Sequence, residues 1–168
     1  MRKWNAARAA QAMMALGVAG VLVAAAPPQD KWEQQVRTLL QRASNTTSSS
    51  GFVETNEPHL GQLREGQNTS WTVRLNAGTE YRIVGVCDND CSDVDLKLFN
   101  PAGTMVDEDI ETDDVPVLTI TPPATREYTI RAIMATCSVN PCRFGVVVPL
   151  SCAGAPRPPC RRTTAAPC

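Results

Sequence analysis

Histidine occurs only once in the 168 residues, at position 59, and that scarcity argues against most acid–base and nucleophilic chemistry. A Ser-His or Cys-His hydrolase would have to recruit His59, which follows Pro58 in a stretch read as linker. Neither a Gly-x-Ser-x-Gly elbow nor a zinc-protease motif is present to support it. Carboxylate pairs could in principle serve a glycosidase, but the acidic residues fall on expected loops. A small secreted hydrolase therefore ranks third among the readings, and no catalytic residue is assigned. Excess positive charge is also missing, since the formal net charge is −1, which disfavours a nucleic-acid partner. Beyond the first 26 residues no apolar run could cross a bilayer, and no internal repeat is visible.

What is present begins with a leader. Arg2, Lys3 and Arg8 precede an uncharged run from Ala9 to Ala26, and Val23-Ala24-Ala25 offers the small residues that a signal peptidase reads. Residues 1–25 are expected to be a secretory signal peptide, placing the mature chain in the medium or a periplasm. A membrane anchor is the competing reading, but the apolar stretch is short of the ~20 residues of a comfortable span. Cleavage removes three of the 16 basic residues and none of the 17 acidic ones, leaving a mature charge of about −4. Eleven of the acids lie between Glu80 and Asp114, where only Arg82 and Lys97 oppose them.

Seven cysteines in an exported chain point to disulfides, and two spacings are short. Cys87 is expected to pair with Cys91 and Cys137 with Cys142, each clamping a loop and contributing roughly 2 kcal/mol on the chain-entropy model. Zinc is the alternative, but neither spacing is the usual Cys-x2-Cys knuckle. Cys152, Cys160 and Cys168 remain, so one of them is free, modified or joined to another molecule.

Residues 26–58 read as a short helix and a flexible linker. Asp30 can cap the helix with Glu33 three residues on, and Trp32, Val36, Leu39, Leu40 and Ala43 recur at helical spacing over about three turns. Its apolar stripe could dock on the sandwich or on a partner, but Ser44 to Gly51 has linker composition, so the helix is expected to sit apart. From 59 to 149 the apolar period becomes two, with turn residues between short runs: seven or eight strands of an all-β antiparallel sandwich. Residues 107–114 read as a charged, solvated connection, and Val115–Ile120 as a strand whose Pro116 marks an edge. Residues 150–168 form an irregular tail rich in proline, arginine and cysteine.

Several pieces of this region occur in a characteristic order: Gly61-Gln62-Leu63, Ser70-Trp71-Thr72-Val73, Leu75 to Tyr81, Asp93 to Thr104, and Glu127 to Arg131. In that order, residues from about His59 to Val148 resemble the bacterial pre-peptidase C-terminal domain. That family is related to the collagen-binding domains of clostridial collagenases. The resemblance implies a jelly-roll-like sandwich acting as an accessory module, here a free-standing copy without a peptidase. Arg126-Glu127 stands where the family commonly has Ser-Gly, and the two cysteine clamps are not general family features.

Three acidic sets are candidate cation sites. Asp88, Asp90, Asp93 and Asp95 crowd one loop and strand start, in a manner suited to Ca²⁺ with its six to eight oxygen ligands. The spacing is not an EF-hand, and such aspartates equally cap their own loops, Asp95 most of all. Glu54, Asn56 and Glu57 lie where calcium-binding relatives of the resembled family draw ligands from a linker. The 107–114 run is the third, read as solvated. Trp71, Tyr81, Phe99, Tyr128 and Phe144 fall on expected strands and read mainly as core. Phe99, which shares the parity of Lys97, is the exposed candidate for a ligand surface. The reading favoured is a non-catalytic binding module for an extracellular or cell-envelope protein or polysaccharide, needing no cofactor unless calcium assists. A structural protein held in an envelope assembly by its helix and tail cysteines is the alternative.

Overall fold

Burial alternates along strands such as Cys91–Phe99 and Arg126–Cys137, and two stacked antiparallel sheets form with one helix outside them. The computed structural model describes residues 31–54 and 56–152; the leader, the Asp30 cap and residues 153–168 lie outside that range. The order is α1 (Lys31–Ser49), β1 (Phe52–Val53), β2 (His59–Leu63), β3 (Asn68–Leu75), β4 (Tyr81–Cys87) and β5 (Cys91–Phe99). It continues with β6 (Met105–Asp109), β7 (Val117–Ile120), β8 (Arg126–Cys137), β9 (Cys142–Val147) and β10 (Leu150–Ser151).

One sheet runs β3-β8-β5-β6. The other runs β1-β10-β4-β9-β2, with β7 on the opposite side of β4. A simpler pattern underlies these ten strands. Leu150 pairs with Tyr81 in the same register that pairs Val147 with Val84, and the Arg82 amide donates to the Pro149 carbonyl between them. β9 and β10 are thus one lane, as are β1 and β2 along its far side. Each sheet then has four lanes, although the ten strands exceed the seven or eight expected.

The core lies between the sheets. Ile83, Leu96, Leu98, Leu118, Ile130 and Met134 are fully buried there, with Leu75, Val94 and Phe144 almost so. Each such side chain contributes about 1.5–3 kcal/mol relative to exposure. Both clamps form as expected, Cys87–Cys91 and Cys137–Cys142, with Cα separations of 5.8 and 5.9 Å. The first joins the end of β4 to the start of β5 and the second the end of β8 to the start of β9, so both tie one sheet to the other. Cys91 stands opposite Cys137 in the ladder, which puts the two bridges at the same end. Cys152 is also disulfide-bonded.

Three expectations are corrected. The helix spans 19 residues, running through the segment read as linker, and it docks on the sandwich. Val36 and Leu40 pack on Val84, Val86 and Val147, the outer face of the β4–β9 pair. Gly145 permits this contact, because a Cβ there would lie 2.7 Å from both Leu40 Cδ1 and Val36 Cγ1. The buried stripe continues through Ser44 and Thr47, small polar residues that the apolar count passes over. Hydroxyls of Thr46, Thr47, Ser49 and Ser50 donate to carbonyls three or four residues back, so these side chains bond within the helix they extend. Gly51, with φ of 86°, ends the helix.

Second, His59 is no linker residue but opens β2. Third, residues 107–109 of the supposed solvated run belong to β6. Asp107 Oδ2 accepts from the Thr119 amide and Asp109 Oδ2 from the Val117 amide, both at 2.8 Å. These acids sew β6 to β7 across the rim of the sandwich.

Candidate functional site

The lane formed by β1 and β2 is broken where residues 54–58 lie opposite residues 147–149. Described residues of this connection, Glu54 and Asn56–Pro58, face α1. Ser44 donates a hydrogen bond to Glu54 Oε1, tying the connection to the helix. Between them opens a hollow of about 670 Å³, lined by Arg37, Leu40, Gln41, Glu54, Asn56, Glu57 and Pro58. Glu54, Asn56 and Glu57 are therefore brought together, with a guanidinium and an amide from the helix on the opposing wall. Arg37 is itself held by Glu33 at 2.9 Å, one turn back. The lining carries both charge signs and amide groups over one leucine, a surface suited to a polar chain rather than an apolar ligand.

On the other side of the same connection lies a second hollow of about 400 Å³, between the open edges of the two sheets. His59 stacks on Trp71 across this seam, ring centroids 3.9 Å apart and planes within 9°. Phe144 backs both rings. Burial lowers the His59 pKa, favouring the neutral ring that such stacking suits. Arg74, Asn56 and Glu57 rim the opening.

Within the first acidic set the aspartates have separate surroundings. Asp88 is 2% exposed; its Oδ2 accepts the Arg143 amide at 2.8 Å, and its backbone amide donates to the Arg143 carbonyl. It thus fastens the β4–β5 turn to β9, the loop-capping role expected of this set. Asp90 receives the Ser138 amide and hydroxyl on its backbone carbonyl. Asp93 sits at a register shift in β5, and Asp95 lies further along it beside Lys97. Burial raises the pKa of Asp88, opposed by the Arg143 amide. Burial also raises Asp93 and Asp95, reinforced by Asp113 and by Asp93 respectively. Among the described residues, no three His, Cys, Asp or Glu side chains converge as a metal group.

Phe99 lies half-buried on the outer face of its sheet, with the Arg131 guanidinium 4.8 Å from its ring centroid. Tyr81, Tyr128 and Phe144 are core, as expected. The partly exposed aromatic beside a hollow is instead Trp71, which its strand parity assigned to the interior. Parity gives the direction of a side chain but not the openness of the edge it lies on. Arg37 and Gln41 were equally hidden, because their role depends on where the helix docks.

The architecture is an antiparallel β-sandwich with a docked helix, and its two buried clamps suit an oxidising compartment outside the cytoplasm. Among the described residues no helix is long and apolar enough to cross a membrane. No protein-family model matches the chain, and no curated protein matches it significantly.

Proposed function

We propose that this chain is a secreted, non-catalytic accessory module that binds an extracellular or cell-envelope protein or polysaccharide in the hollow between α1 and residues 54–58. The observation carrying the reading is the convergence of Glu54, Asn56, Glu57, Arg37 and Gln41 around one open polar surface on a disulfide-clamped scaffold. The two four-lane sheets support the resemblance to the pre-peptidase C-terminal domain, which supplies the accessory role. His59 is committed to an aromatic stack, which supports a packing role for the lone imidazole. The helix buries its apolar stripe on its own sheet, so an assembly reading is left with the tail cysteines.

The test is a thermal-shift screen of the mature protein against extracellular polymers, with and without calcium. A ligand at a hundred times its Kd stabilises the native state by about 2.7 kcal/mol, a readily measured rise in Tm. The rise should vanish in Arg37→Ala/Glu57→Ala, whose own Tm should stay near wild type because both side chains border the hollow. If calcium assists, its own shift should disappear in Glu54→Gln/Glu57→Gln. A screen in which nothing moves Tm, or a shift indifferent to these substitutions, sinks the reading.

A further inference from the structure

A sandwich of open sheets has four outer edges, and each exposes alternate backbone amides and carbonyls that can recruit another strand. Three of these edges are guarded. β7 hydrogen-bonds β4 through Pro116, whose carbonyl accepts the Gly85 amide at 2.9 Å, so its outward amides are those of Val117 and Thr119. Both are taken by Asp109 and Asp107. β6 is short and carries Asp107, Glu108 and Asp109, so two such edges would repel. The β1–β2 lane is broken by residues 54–58 and by Pro58.

β3 is the exception. It is eight residues long, unbroken, free of proline and acid, and pairs only with β8 on one side. The Gln67 carbonyl accepts the Met134 amide at 2.9 Å, which fixes the phase of the ladder. Thr69, Trp71 and Val73 therefore hydrogen-bond with β8, while Asn68, Ser70, Thr72 and Arg74 turn their amides and carbonyls outward. Among the described residues those outward groups meet no partner.

The geometry points to a second copy of this chain as the occupant: two β3 strands pair antiparallel about a twofold axis at Trp71, joining two four-lane sheets into one of eight. This goes beyond the polymer-binding reading and does not depend on it. In that register Ser70 faces Thr72 and Asn68 faces Arg74, so every outward residue of the strand is used and its one cation, Arg74, meets an amide rather than its own copy. Trp71 faces Trp71 at the close, non-hydrogen-bonded position, where aromatic cross-strand pairs stabilise a sheet. A twofold contact supplies each edge with an identical row of donors and acceptors at matching spacing.

Light scattering on the eluting mature, oxidised protein, combined with hydrogen exchange, tests this. The expected result is a dimer mass, with the Asn68, Ser70, Thr72 and Arg74 amides protected and that protection lost on dilution. Thr72→Pro removes an outward amide without touching the β8 ladder and should halve the mass while Tm and disulfides persist. S70K/T72K places lysines face to face across the axis and should do the same; it decides the matter should the proline variant fail to fold. A wild-type monomer overturns the proposal, as does a dimer that both variants retain. A dimer that survives denaturant without reductant also overturns it, by placing the contact at the odd cysteine. Protection in a monomer regardless of dilution overturns it too, and shows that the rest of this chain covers the edge.

Discussion

Gly145 sets the distance between helix and sheet, so a side chain there acts on the hollow as well as on stability. Gly145→Val should cost about 1–3 kcal/mol by overpacking against Val36, Leu40 and Leu60, seen in urea denaturation, and should weaken any ligand held by Arg37 and Gln41. A smaller effect is expected at Tyr81, whose hydroxyl accepts the Asn76 amide at 3.0 Å. Tyr81→Phe should lose about 1 kcal/mol by the same measurement. Charge burial gives a pH signature. Burial lifts Asp93 and Asp95 above the ordinary carboxylate range, so the folded chain binds more protons than the unfolded one as these groups titrate. Their contribution is therefore most favourable below that range and declines as pH rises through the folded pKa. Asp95→Asn should raise Tm at neutral pH and leave it unchanged in acid, as a pair of melting curves would show. At this scale the sequence was partly legible: the cysteine pairs follow from spacing, whereas the openness of the edge beside Trp71 does not.

Elements were legible where a period was apolar and obscure where it was polar. The strands from Trp71 to Phe99 alternate large aliphatic residues and could be read directly. The last turns of α1 and the acidic end of β6 could not, because their buried or bridging positions are occupied by Ser44, Thr47, Asp107 and Asp109. Asp107 and Asp109 do keep a period of two, the one signal that separated a strand from a solvated loop. Their function at the rim leads to a further expectation. Asp107→Ala/Asp109→Ala should cost about 1 kcal/mol for each amide left to water. Hydrogen exchange should quicken at Val117 and Thr119 while the amides of β8 remain slow.

For the whole molecule, sheet-on-sheet architecture and oxidised clamps were foreseeable, but the placement of the helix was not, since only the folded sheet reveals that Gly145 leaves room for it. The calcium sets show the same division. Asp88 is drawn inward to Arg143, and Glu54, Asn56 and Glu57 converge because a strand lane is interrupted, which no spacing rule encodes. Both clamps bridge the sheets at one end, so Cys87→Ala/Cys91→Ala should lower stability by about 2 kcal/mol and loosen that end first, visible as faster exchange near Cys91 and Cys137.

The aspartates that occupy the amides of β7 also bear on stoichiometry. A body with two bare rims can add neighbours without limit and grow into a fibre; blocking one leaves a valence of one. Any partner that docks by extending a sheet then exhausts the available rim, and growth terminates at a closed pair.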